Sequence, residues 1–164
     1  MQDIIFKMEN FVFSYRIAGI LIRDGKILLQ KPLQDDGYSF PGGHVSFGET
    51  SDKTLVREFK EEIGADIKVG RLVMIGENFF PWGRKTCQQI CLYYLVSLRD
   101  ETQIPLKGSF KALDELCNER TDLDFCWISL SQLHVIKLYP EGLKEDILSL
   151  PENVKHFVYM EEAN

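Results

Sequence analysis

Residues 43–65 read GHVSFGETSDKTLVREFKEEIGA, and Glu58, Glu61 and Glu62 crowd into its last turns. In a helix Glu58 lies one turn from both of the others, and like charges at these spacings repel. The local pattern is nonetheless helical. Leu55, Val56, Phe59 and Ile63 fall on one stripe. Thr50 or Ser51 can cap the start, and Gly64 can supply the left-handed residue at the end. The spacing predicts a helix over Ser51–Ile63, with its apolar stripe on a core and Arg57, Glu58, Glu61 and Glu62 off that stripe. Arg57 can pair with Glu61 across one turn. Lys60 points elsewhere, which leaves Glu58 and Glu62 with no evident cation on their own helix. A glutamate-rich face is commonly a solvated one. The alternative is a divalent cation, and carboxylates, as hard oxygen ligands, suit Mg²⁺ or Mn²⁺. Ahead of the helix, Gly42-Gly43 and Gly48 permit either a plain tight turn or a close approach of backbone to a bound ion or phosphate.

Working outward, the N-terminal third reads as strands. Ile4–Lys7 and Phe11–Tyr15 suggest a first hairpin within about residues 1–15. Ile17–Ile22 and Lys26–Gln30 flank Arg23-Asp24-Gly25, a strong hairpin signal. A loop with Pro32, Asp35, Asp36 and Gly37 follows. Beyond the helix, Leu72–Phe80 and Thr86–Leu98 read as strands joined by a turn at Pro81-Trp82-Gly83-Arg84. A short helix is expected at Lys111–Cys117 and a strand at Phe125–Ile128. Helices are expected near Leu133 and over Glu141–Ser149, within about 129–150. The order of strands, helix, strands, helices predicts a mixed α/β domain with a helix packed on a sheet. No repeat or linker divides the chain, so residues 1–164 are read as a single domain.

The totals bound the function. With 45% hydrophobic and 27% charged residues, a folded globular chain is expected. No apolar run is long enough to span a bilayer, and the first residues do not read as a secretory signal, so a cytoplasmic protein with no membrane partner is expected. A net charge of −6 argues against wrapping long nucleic acid, though a bound cation still admits a small anionic substrate. Cys87, Cys91, Cys117 and Cys126 form no C-x-x-C pair, so they read as reduced thiols; a zinc site drawing on His44, His134 or His156 is the weaker alternative.

The stretch from Gly43 to Ala65 resembles the Nudix box: a glycine, five residues, Glu49, seven residues, Arg57-Glu58, two residues, Glu61-Glu62, one residue, Gly64 and a final aliphatic position held by Ala65. Phe59 stands where a smaller aliphatic is usual. The resemblance implies an α/β/α sandwich around a mixed sheet with a catalytic loop-helix. It implies hydrolysis of a nucleoside diphosphate linked to another moiety, either an ADP-ribose-like sugar nucleotide or a (deoxy)nucleoside triphosphate. By the same resemblance, Glu58, Glu61 and Glu62 would hold Mg²⁺ or Mn²⁺, with the Gly43 carbonyl as a further ligand. Arg57 would orient the glutamates, including a supporting Glu49. Which carboxylate acts as general base stays open. Similar proteins carry a His-Glu pair before the Tyr-Tyr strand; Gln88-Gln89 stand there in this chain, and Glu77 or a residue of 99–123 is the suggested substitute. The alternative function is a nucleotide-binding or sensor module of the same fold without turnover.

The resemblance also directs attention to substrate contacts. Pro81 lies sixteen positions after Ala65, as in ADP-ribose pyrophosphatases, or is simply a turn proline. Trp82 could stack on a base and Arg84 or Lys85 could meet phosphate; a turn aromatic and solvated charges are the plainer readings. Of Phe79, Phe80, Tyr93 and Tyr94, at most half can face a pocket. Phe11, Phe13 and Tyr15 could form a homodimer surface. Trp127 is expected to pack under the C-terminal helix.

Overall fold

The structure is a computed structural model that describes residues 1–33, 36–106, 109–116 and 119–161, with the backbone alone for 109–116 and 119–122. Its strands are β1 (Ile5–Lys7), β2 (Phe11–Arg23), β3 (Lys26–Pro32), β4 (Ile67–Trp82), β5 (Lys85–Leu98), β6 (Ser109–Leu116), β7 (Glu119–Ser129) and β8 (Lys155–Met160). Helix α1 is Ser51–Ile63, a 3-10 turn covers Leu130–Val135, and α2 is Lys144–Leu148. The sheet runs β6-β7-β3-β2-β5-β4-β8, with β1 also paired to β2. β2–β5 and β4–β8 are parallel and the remaining pairs antiparallel, so the sheet is mixed.

Alternation along the central strands feeds two cores. Ile17, Leu21 and Leu28 face Leu55 and Phe59 of α1. Ala18, Ile20, Ile27 and Leu29 face the other way, toward Leu133, Leu143 and Ile147. Helical segments therefore cover both sides of the sheet, the α/β/α layering implied by the resemblance. Gly19 sets how closely α1 approaches: a Cβ there would lie 2.7 Å from the Phe59 ring.

The helix boundaries match the sequence reading, and Gly64 ends α1 at φ 74°. Its buried face differs. Val56 is exposed, while Thr54 and Glu62 are buried with Leu55 and Phe59, so the helix is turned toward Thr54 and Glu62 and away from Val56. The hairpin at Asp24-Gly25 has φ 49° and 71°, the paired left-handed conformation of a tight two-residue turn. What reads as two strands, Phe11–Tyr15 and Ile17–Ile22, is the single strand β2. The turn between β4 and β5 contracts to Gly83-Arg84, leaving Pro81 and Trp82 in β4.

Three further corrections follow from long-range pairing. Lys111–Leu116 is not helical but lies in β6, paired with β7; the Cys117 end of the expected helix lies outside the described residues, as does Asp35 of the expected loop. A tertiary ladder overrides helix propensity there. Trp127 packs with the α1 core rather than under the C-terminal helix, and its Nε1 donates to the Pro105 carbonyl at 3.1 Å. β8 is absent from the sequence reading altogether.

Candidate active site

Residues 41–45 run along β2 before entering α1. Gly19 N–H donates to the Pro41 carbonyl at 2.8 Å, Ile17 N–H to the Gly43 carbonyl at 2.9 Å, and Val45 N–H to the Tyr15 carbonyl at 2.9 Å. Gly42, at φ 151°, leaves no room for a side chain: a Cβ would lie 2.2 Å from the Ile17 carbonyl oxygen. The Gly43 carbonyl is thus fixed by one hydrogen bond and keeps a second lone pair.

The carboxylates meet at Arg57. Its Nη1 donates to Glu58 Oε1 at 2.7 Å and to Glu61 Oε2 at 2.9 Å, and its Nη2 donates to Glu49 Oε2 at 3.1 Å. Thr54 Oγ1 donates to the same Glu49 oxygen at 2.8 Å. The expectation that Glu58 lacks a cation on its own helix is therefore corrected: its sequence neighbour supplies one. Arg57 stands among the acids, and among the described residues no three His, Cys, Asp or Glu side chains are gathered in metal-binding geometry. Glu62 is buried, 9% exposed, in the same helix.

Electrostatics follow from burial. Burial pushes the Glu58 carboxyl up to about 7; Arg57 opposes that shift and Glu61 adds to it. Burial would also raise Glu49, but hydrogen bonds from Arg57 and Thr54 outweigh it and hold its carboxyl below the usual range. His44, beside Gly43, is 4% exposed. Burial, then the charges of Arg16 and Lys7, push it down to about 3, so the ring is neutral.

Arg57, Glu58, Glu61 and Gly43 line a cavity of about 710 Å³. Trp82 and Pro81 line it too, whereas Arg84 sits in the exposed hairpin turn outside it. Of the four aromatics weighed from sequence, Phe80 and Tyr93 face the cavity and Phe79 and Tyr94 do not. Tyr94 instead shares a 2.7 Å hydrogen bond with Ser51. Glu77 is not among the lining residues; it meets His156 Nε2 at 2.8 Å. Nor does any described side chain of 99–123 line the cavity. Gln88 is exposed, but Gln89 is buried and faces inward.

Sequence reasoning missed several lining groups. Arg16, in the middle of β2, donates through Nη2 to the carbonyls of Phe40 at 3.4 Å and Gly42 at 3.3 Å. Tyr159 and Glu161 arrive on and just after β8. Asn78, with Glu77 beside it, interrupts the apolar run Leu72–Phe80, and that break in pattern was the available signal.

Compared with known proteins, the family model described as NUDIX domain matches residues 14–147. A CTP pyrophosphohydrolase of Escherichia coli is 46% identical over 61 residues, which are 35% of this chain and 45% of that protein. An ADP-ribose pyrophosphatase of Methanocaldococcus jannaschii is 42% identical over 60 residues, 35% of this chain and 36% of that protein. The chain thus spans less than half the length of these curated relatives. The solution structure of the E. coli ORF135 protein is similar with a TM-score of 0.53 at 27% identity, over 84% of this chain and 89% of that one.

Proposed function

The chain belongs to the NUDIX domain family, and from that premise we propose that it is a divalent-metal-dependent pyrophosphohydrolase. Its substrate would be a nucleoside diphosphate linked to another moiety: a nucleoside triphosphate, or a sugar nucleotide such as ADP-ribose. Supporting this reading are the activities named for the two relatives, CTP pyrophosphohydrolase and ADP-ribose pyrophosphatase. The observation that carries it is the convergence of Arg57, Glu58 and Glu61 with Gly43 at one cavity wall, with Glu49 bonded to Arg57 behind them.

The donor set fits Mg²⁺ or Mn²⁺. Glu58, Glu61 and the Gly43 carbonyl with its spare lone pair offer hard oxygens at the cavity; Glu62, buried on the same helix, does not line it and would complete the set by turning toward it. Gly43 also forms a cradle: a Cβ there would meet the Glu58 carboxyl, so only glycine lets backbone and carboxylate share this space. A bound divalent ion would neutralise phosphate oxygens and lower the pKa of a bound water. The protein's own part is to keep the acids poised. Arg57 tethers Glu49, Glu58 and Glu61 until phosphate and metal supply competing charges. In the metal-free protein burial pushes the Glu58 carboxyl up to about 7, and a bound cation would favour its ionised, ligating form. Gln89 is neutral and cannot act as a base. On this reading residues 1–164 act as one NUDIX domain on a small nucleotide in the cytoplasm, with neither membrane nor long nucleic acid as partner. The half-exposed Phe6 and Phe11 leave room for a homodimer.

The test is incubation with Mg²⁺ and a panel of nucleoside diphosphate derivatives, with products identified. Nucleoside monophosphate plus pyrophosphate marks a triphosphate substrate, and AMP plus ribose phosphate marks ADP-ribose. Tight nucleotide binding without any product would overturn the enzyme in favour of a binding module.

A further inference from the structure

Asn78, Phe80 and Trp82 alternate along β4 and all line the cavity, so a carboxamide lies on the same strand face as two aromatic rings. The ring centroids of Phe80 and Trp82 are 6.2 Å apart at 32°. Asn78 is 3% exposed and Gln89 8%. Asn78 Nδ2 donates to Gln89 Oε1 at 3.3 Å, and Gln89 Nε2 donates to Ser14 Oγ at 3.1 Å. Asn78 Oδ1, by contrast, is buried with no hydrogen-bond partner among the described residues. A buried acceptor without a donor is unfavourable until a ligand supplies one.

We propose that Asn78, oriented by Gln89 and Ser14, is a base-reading residue: its Oδ1 accepts from the amino group of a nucleobase stacked on Phe80 and Trp82. This rests on the nucleotide reading of the cavity. The relay has a direction. Ser14 Oγ accepts from the Gln89 amino group and Gln89 Oε1 accepts from Asn78 Nδ2, which leaves the Asn78 oxygen as the unused end of the chain, on a residue that lines the cavity and also meets the Tyr93 side chain. An amino-bearing base satisfies that oxygen, whereas a carbonyl in the same place sets two acceptors against each other.

The experiment is calorimetric binding of matched nucleoside monophosphates, cytidine against uridine and adenosine against inosine, without metal. The wild type should bind the amino-bearing member of each pair about tenfold or more tightly, the effect of leaving one buried acceptor unpaired. Asn78→Leu should bring the two members within about twofold. Should that variant fail to fold, Asn78→Ser, whose hydroxyl can donate or accept, should likewise bring the two members within about twofold, and an undiminished preference there counts against the assignment equally. No preference in the wild type, a preference for the oxo member, no binding of either, or undiminished preference in Asn78→Leu overturns the assignment. Selective binding without turnover would instead leave the base reader intact and defeat the hydrolase reading.

Discussion

A Cβ placed on Gly43 would lie 2.3 Å from the carboxyl carbon of Glu58, so this glycine and this acid are mutually fitted. The contact joins the loop that follows β3 and runs along β2 to the helix that carries the acids. We expect Gly43→Ala to fold, because Glu58 can swing aside. It should lose about 10²-fold in turnover, as a misplacement near 1 Å does in a positioned site. Steady-state kinetics with a circular dichroism control checks this; unchanged turnover would separate Gly43 from the reacting centre.

Arg57 offsets the mutual repulsion of Glu49, Glu58 and Glu61 in the metal-free protein. Its side chain is 22% exposed, and those of Glu49 and Glu58 are 12% and 13% exposed, so solvent screens the network only in part. Arg57→Ala should lower the metal-free unfolding free energy by about 1–3 kcal/mol, between surface and buried pairs. Added Mg²⁺ should recover much of that loss. Urea titration with and without Mg²⁺ measures both, and a variant as stable as wild type would show the network to be idle.

The pH dependence of metal-free stability has two opposed arms. His44 falls from an ordinary 6.5 to about 3, so its contribution is present above 6.5 and is lost as pH falls toward 3. Glu58 rises from 4.5 to about 7, so its contribution is present below 4.5 and is lost as pH rises through 7. Glu58→Gln should therefore melt higher than wild type at pH 8 in chelator, and His44→Gln should flatten the acid arm. Thermal melts from pH 4 to 8 decide it. A Glu58→Gln variant that melts lower than wild type at pH 8 would contradict the burial argument.

Trp82 and Arg84 are two residues apart, yet only Trp82 lines the cavity. If the indole stacks on a base, Trp82→Ala should weaken binding by about 1–3 kcal/mol, seen as a raised KM. Arg84→Ala should leave kcat/KM within about twofold, as a solvated turn residue. Equal losses from both would place phosphate at the turn.

The parts of this fold written locally were legible. The periodic stripe, Gly64 and Asp24-Gly25 placed α1 and a hairpin because each depends on residues within a turn of one another. β6 and β8 were not, because their pairing partners are distant. β8 joins Lys155–Met160 to Met74–Phe79, some eighty residues earlier, and no local pattern encodes that. Within the box, Glu49, Arg57, Glu58 and Glu61 meet in the structure, while Glu62 stays apart from the cavity. The bond from Arg57 to Glu58 is not given by helix spacing, which pairs residues three and four apart; only the resemblance has Arg57 orienting the glutamates. Asn78 and Gln89 gain their meaning only where β4 and β5 pair and Ser14 of β2 lies behind them.

We propose that these acids are crowded because divalent ions would neutralise them and act there on a phosphoanhydride. The most direct measurement is the rate of nucleotide hydrolysis against Mg²⁺ concentration for wild type and for a folded Glu62→Gln variant. The account predicts no turnover in chelator, saturable activation of the wild type by Mg²⁺, and a loss of orders of magnitude in the variant. Near-normal turnover by Glu62→Gln, or wild-type turnover indifferent to Mg²⁺, would contradict it.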